Sequence, residues 1–388
     1  MRRLNLLLLL LFATAVATAV TPNKMVIPNI EGYKTLKGDF HIHTVFSDGT
    51  MWPSSIVQEA KWEGLDIIAI TDHLDTRHQK MVNNGYFTSK CNRNTAYKLA
   101  KKDAGKRLMV VHGGEISRGM PPGHFNCLFV TDNDAICAAA EKNDHDHVLA
   151  MAGGLKEARS QGAFLMWNHP NWCKQAPDHT VMHPEHEQLL SKGYIDAIEV
   201  YNMVCGYSPE AHEWCLKHNL AMLGNSDAHY PMFTEIDYLH GKYRPVTLVF
   251  ATERSLAGVR DALNERRSAI FAEGMVYGRE QELDPLFKAC VKVKEMKWEE
   301  KMVSFTLENR SSIPVRLTKA PGSESVWYAR YIDLPPHSSV VVKVRPLLVN
   351  NVQPKWDDSI TEVVANFYVE TFQIGANKPL SFSVKAVR

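Results

Sequence analysis

Two histidines one residue apart, His41 and His43, close an apolar run, and Asp48 follows shortly after them. In an extended chain residues i and i+2 point to the same side, so both imidazoles can address one point. Imidazole with carboxylate is the donor set of zinc, iron or manganese. The pattern recurs along the chain in Thr71-Asp72-His73, Gly113-Gly114-Glu115, His124 after Pro121-Pro122-Gly123, Asn168-His169-Pro170 and Ser226-Asp227-Ala228-His229. The candidate ligands are therefore His41, His43, Asp48, His73, Glu115, His124, His169, Asp227 and His229. One histidine at a strand end is usually a hydrogen-bonded core residue, and His124 read alone fits either role. So many donors exceed the needs of one tetrahedral ion. They imply a cofactor of two or three divalent ions (Zn, Mn or Fe), with Glu115 or Asp227 able to bridge. Paired ions can hold a hydroxide at neutral pH and clamp attacking and leaving oxygens, which is the chemistry of phosphoester hydrolysis.

The elements that must position these residues are apolar β-type runs alternating with helical segments. The sequence predicts helices over 53–64, 95–105, 148–161, 209–218 and 256–267, and strands ending near His41 and over 66–70, 108–112, 125–130, 163–167, 195–200, 221–223 and 246–251. Strand–helix alternation argues for a parallel sheet, and roughly seven units suit a barrel better than an open sheet. Each candidate ligand lies at or just after the end of an apolar run, where barrel active sites sit. From Asp284-Pro285 onward the pattern changes to short alternating strands with turn signals, which reads as a small all-β sandwich over 285–388. That tail holds one histidine, His337.

Arg2 and Arg3 precede the apolar run Leu4–Phe12, and Ala17-Thr18-Ala19 offers a small-x-small cut. This reads as a signal peptide over 1–19, with export to a periplasmic or extracellular space, followed by a lead-in over 20–35. The apolar run is short for a membrane anchor. The chain has 388 residues, 45% apolar and 22% charged, with Lys+Arg 44 against Asp+Glu 43. That length suits two domains, and the even balance gives no field for nucleic acid or an anionic membrane. The seven cysteines are an odd number without a CxxC pair, so a zinc ribbon is excluded and buried thiols are expected.

Taken in order, His41-x-His43-Thr44-x-x-Ser47-Asp48-Gly49, Ile70-Thr71-Asp72-His73, Gly113-Gly114-Glu115, Asn168-His169-Pro170 and Asn225-Ser226-Asp227-Ala228-His229 resemble the motifs of the PHP (polymerase and histidinol phosphatase) family over about residues 36–275. The resemblance implies an α/β fold, a distorted seven-stranded (β/α)7 barrel over 36–280, with a trinuclear metal site. By position it implies one ion on His41, His43, Glu115 and Asp227. A second ion would share Glu115 with His124 and His169, and a third would lie on Asp48, His73 and His229. Glu115, Asp227 and His229 carry the catalytic expectation. The leader and the C-terminal β-domain resemble the secreted Sb-PDE-like phosphodiesterases of this family. A small-molecule phosphodiester is the expected substrate. The rival readings are a phosphomonoesterase, of histidinol-phosphatase or nucleotidase type, and a metal-rich binding protein without turnover.

Arg118, Arg77 and Lys174 follow ligand motifs closely and are candidates for a phosphate oxygen, although exposed basic residues would look the same. Asp75 is a candidate proton donor. His145, His147, His179, His183 and His186 read as loop histidines. Trp172 reads as a pocket wall and Trp167 as core. Ser47 and Ser226 lack a GxSxG-type elbow and are not nucleophile candidates.

Overall fold

The computed structural model describes residues 24–75, 92–172, 179–350, 352–357 and 359–388. The signal-peptide reading, Arg77, Lys174, Cys91 and Cys173 lie outside them. The first part of the chain contributes β1 (Lys34–Asp39), β2 (Ile67–Ile70), β3 (Met109–Ser117), β4 (His124–Leu128), β5 (Phe164–Trp167), β6 (Ala197–Asn202), β7 (Gly206–Tyr207), β8 (Ala221–Asn225), β9 (Val246–Ala251), β10 (Ser268–Ala272) and β11 (Met275–Gly278). Helices Pro53–Glu63, Thr95–Ala104, His147–Ser160, Pro209–His218 and Leu256–Asn264 lie between strands, as the periodicity predicts, and Asn133–Glu141 and Pro184–Ser191 add to them. Their ends are written locally. Pro53 opens the first helix, and Gly64, at φ 79°, turns its N–H back to Ala60 and Lys61 carbonyls. Ser208 and Ser255 cap two others through their side chains.

The sheet runs β11-β10-β9-β1-β2-β3-β4-β5-β6, with β8 also on β6. It is mixed rather than parallel. Pairs β1–β2, β2–β3, β5–β6 and β6–β8 are parallel, whereas β3–β4 and β4–β5 are antiparallel. No helix lies between Ser117 and His124, so β3 and β4 close as a hairpin, which only antiparallel strands can do. The outer side of β8 meets β9 and β10 through side chains: Thr247 Oγ1 donates to the Gly224 carbonyl (2.9 Å), and Ser268 Oγ to that of Met222 (2.9 Å). Among the described residues no main-chain ladder joins these strands, so the sheet curls round without a strand-paired seam. Strand β2, Ile-Ile-Ala-Ile, is buried at every position, as a central strand covered on both faces must be.

Pro285 falls inside helix Glu280–Cys290. Beyond it come β12 (Val291–Glu299), β13 (Met302–Asn309), β14 (Val315–Lys319), β15 (Val326–Trp327), β16 (Tyr331–Leu334), β17 (Ser339–Pro346), β18 (Glu362–Gly375) and β19 (Lys378–Val387), all strands, as expected. One sheet, β12-β13-β17-β15, stands apart; the other, β16-β14-β18 with β19, continues the first sheet because β18 pairs β11 (Val276 with Phe372). Phe305, Leu307 and Val342 from one sheet share a core with Leu317, Phe367 and Val384 from the other. Phe287 of the preceding helix packs edge-on to Phe372 and Phe382. No helix among the described residues is long and apolar enough to cross a membrane.

Candidate metal centre

After Asp39 the chain stays extended. Ile42 bridges Ala228, and the Thr71 amide donates to the Ile42 carbonyl at 2.9 Å. Phe40 and Ile42 are fully buried in the apolar interior, while His41 and His43 share the opposite side with ring centroids 5.2 Å apart. The loop that follows folds around Asp72. That carboxylate accepts from the Thr44 amide (2.6 Å), Thr44 Oγ1 (2.8 Å) and Ser47 Oγ (2.7 Å), and so sets Asp48 beside the histidines. Gly49 is required here: a Cβ on it would lie 2.5 Å from the His43 carbonyl oxygen. His73 and Glu115 meet across a parallel bridge between the ends of β2 and β3. His124 reaches the same edge because β4 runs antiparallel: as the first residue of β4 it pairs with Ser117, the last of β3.

All nine side chains converge. His41 Nε2 and His43 Nε2 each lie 3.2 Å from Asp227 Oδ1 and 3.5 and 3.6 Å from the Glu115 carboxylate. Glu115 is also 3.1 Å from His124 Nδ1, 3.7 Å from His169 Nε2 and 2.7 Å from His73 Nδ1. Asp48 is 3.4 Å from His73 Nε2 and 3.2 Å from His229 Nε2. Among the described residues, donor atoms fall into four compact groups, His43–Asp48–His73–His229, His41–His43–Glu115, Glu115–His124–His169 and His41–His169–Glu199. These overlap the partition expected from the motifs, with His43 belonging to two groups.

The residues fit divalent ions on a direct observation. His41 Nε2, His43 Nε2, Glu115 Oε2 and Asp227 Oδ1 are buried and have no hydrogen-bond partner, yet all four face one another. Buried polar atoms are almost always satisfied, so a cluster of orphans at this spacing is a binding site for a cation. The electrostatics describe a pocket rich in negative charge, in which a proton on His41 stands where a cation would. Burial alone would depress His41, but the carboxylates of Asp227, Glu199 and Glu115 raise it well above its usual value. Burial would raise Glu115 and Asp227, yet the surrounding imidazoles pull both well below the carboxylate range. His43, buried and crowded by His229 and His73, is lowered to about 4 and so is neutral, the form a ligand needs. His169 at φ 24° and Asp227 at φ 54° occupy left-handed backbone that ordinary residues avoid, a strain typical of functional sites.

Sequence reasoning missed the second layer. Glu199, in β6, is fully buried and sits 3.1 Å from His41 Nδ1. Asn168 Nδ2 donates to Glu115 Oε1 at 2.7 Å, and Asn202 Nδ2 to Asp227 Oδ2 at 3.2 Å. Asp39 accepts from Ser226 Oγ (2.5 Å) and is clamped by Arg244 (2.9 Å). A signal existed for each: a polar or charged residue inside or at the end of an otherwise apolar strand must be satisfied by something.

A cavity of about 610 Å³ opens over the cluster, lined also by Asp75, Ser117, Arg118, Trp172 and Val204. Arg118 is buried; it donates to the Ser117 carbonyl (2.7 Å) and lies 3.4 Å from Asp144. Trp172 is an exposed wall 5.1 Å from the His124 ring, while Trp167 is fully buried core. His186 is not a loop histidine: it lies in helix Pro184–Ser191, stacked on Trp167 at 3.9 Å. His147 begins a helix beside Gly119. Cys127, Cys215 and Cys290 are buried thiols whose ionisation burial opposes.

A family model, the PHP domain, matches residues 39–190. The crystal structure of a two-domain protein from Bacteroides vulgatus, containing a predicted PHP-like metal-dependent phosphoesterase, is 36% identical with a TM-score of 0.83, covering 95% of this chain and all of that one. This chain belongs to the PHP family. A zinc-, L-histidinol- and phosphate-bound histidinol phosphate phosphatase from Lactococcus lactis is more distant, at 14% identity and TM-score 0.31 over 59% of this chain and 93% of that one. An uncharacterized Methanocaldococcus jannaschii protein is 47% identical over 45 residues, so the match spans 12% of this chain and about a fifth (21%) of that relative.

Proposed function

We propose that this PHP protein hydrolyses phosphodiesters with two or three divalent ions held by His41, His43, Asp48, His73, Glu115, His124, His169, Asp227 and His229. The convergence of these side chains on one cavity floor, with orphaned atoms facing each other, carries the reading. Bound divalent ions supply a water that ionises near neutral pH and positive charge for the phosphoryl oxygens. The chain supplies the rest. His229 Nδ1 faces the Asp227 carbonyl at 2.8 Å, which leaves its Nε2 directed to Asp48 at the cavity mouth. Asp75 lines the same cavity and is placed to protonate a leaving alkoxide.

Space favours the diester. Among the described residues Arg118 is the one cationic side chain lining the cavity apart from the histidines; its Nη1 donates to the Ser117 carbonyl, while its Nε is buried without a hydrogen-bond partner. The ions can neutralise either charge state, so what favours a diester is room for a second ester arm. The cavity is open beside exposed Trp172 and Val204, which gives that room. The basic, apolar and small-residue segments of 1–19 support export of the mature chain. The test is a paired assay on bis-p-nitrophenyl phosphate and p-nitrophenyl phosphate with metal analysis. The expected result is chelator-sensitive turnover with the higher kcat/KM on the diester. A tenfold preference for the monoester overturns the diester reading, and a metal-loaded chain inert to both substrates supports the binding-protein rival.

A further inference from the structure

We propose that Glu199 is the positioning residue that binds His41 and His169 into one unit and so sets the spacing of the ions those two histidines hold. The carboxylate is fully buried, and each of its oxygens meets two donors. Oε1 faces His41 Nδ1 at 3.1 Å and accepts from Asn225 Nδ2 at 2.9 Å. Oε2 accepts from the His169 amide at 2.9 Å and from Asn202 Nδ2 at 3.0 Å. A carboxylate has about four lone-pair sites, and here four donors occupy them. Glu199 lies within ligating reach of an ion shared with His41 and His169, but its four acceptor sites are already engaged, so its role is assigned through its neighbours.

Two consequences follow from those bonds. With Nδ1 of His41 donating to Glu199, Nε2 is the atom left facing Asp227 and Glu115, and it offers its lone pair when an ion takes the place of its proton. At His169 the bond is made by the backbone, at the residue whose φ is 24°, so Glu199 holds a strained main chain in place. His41 and His169 rings lie 5.6 Å apart, nearly parallel, and share Glu115. The His43–Asp48–His73–His229 group makes no contact with Glu199 among the bonds described.

The inference rests on the metal reading above, and its test reads metal rather than turnover. The full chain, E199Q and E199D are stripped with chelator, titrated with Mn(II) and Zn(II), and compared for bound metal per chain. Co(II) loading gives a visible spectrum that reports the ligand field. E199Q is nearly isosteric and turns one acceptor into a donor. Affinity at the His41 and His169 sites is expected to fall 10–100-fold, with the remaining group still filled and an altered cobalt spectrum. E199D, which keeps the charge at shorter reach, recovers part of the loss and carries the test if E199Q does not fold. Equal affinity in all three chains overturns the role. So does a uniform loss at every site that tracks a lower melting temperature of the metal-free forms. A wild-type chain that takes up no metal overturns the underlying metal reading instead, and the titration of wild type alone shows it.

Discussion

Arg244 clamps three carboxylates, and replacing it with methionine gives a sharp test of how the site is held. Its guanidinium meets Asp39 at 2.9 Å, Glu59 at 3.3 Å and Glu63 through two contacts of 2.7 and 2.9 Å. All four side chains are buried or nearly so. Removing one partner of a buried ion pair costs about 3–5 kcal/mol because the other charge is stranded. The pH dependence adds a second handle. Burial raises Glu63 to about 7, even with Arg244 opposing it. From about 4.5 to about 7 the folded protein keeps a proton that the unfolded chain gives up, so stability falls as pH rises across that window, by about 3 kcal/mol at most. Without Arg244 all three acids are pushed higher, so the deficit of Arg244→Met is expected to be greatest at pH 8 and to shrink by pH 5. Urea unfolding of both metal-free chains at pH 5, 6, 7 and 8 measures this. A deficit under about 1 kcal/mol at pH 8, or one independent of pH, refutes the reasoning.

His112, His186 and His212 are each lowered to about 4, burial being the largest cause. Each contributes stability that is present above the unfolded value of about 6.5 and is lost as pH falls toward 4. His186→Gln is therefore expected to flatten the acid limb of the stability–pH curve, and an unchanged limb would count against burial of the neutral ring. Gly224→Ala drives a Cβ into Ile270, which should cost about 1–3 kcal/mol; the double variant with Ile270→Ala recovers part of that if the clash is the cause. Gly49→Ala meets main chain at 2.5 Å, which cannot give way, so loss of metal and activity is expected with the remainder of the fold retained by circular dichroism.

The candidate ligands were legible because each stands alone at the end of an apolar run. Burial and polarity conflict there, and the sequence shows both. His124 was the exception; only the antiparallel turn of β4 brings it to the edge where the parallel strands end. The sheet's mixed character was hidden in the same place, since a short polar link can be a hairpin or a crossover stub until pairing is known. Glu199 was overlooked inside the strand Ala197–Asn202, although a carboxylate amid Ala-Ile and Val-Tyr in a fully buried run is itself a signal. The joining of the tail to the main sheet was not legible. It depends on β18 meeting the short edge strand β11, a long-range pairing that no local pattern announces.

The most direct test of the central claim is metal content measured alongside bis-p-nitrophenyl phosphate turnover in wild type and His41→Ala. His41 Nε2 is an orphaned, fully buried atom facing Asp227 and Glu115. The account predicts a multi-metal wild type and a variant that has lost bound metal and at least about a hundredfold in kcat/KM. A His41→Ala chain with full metal content and undiminished turnover would contradict it.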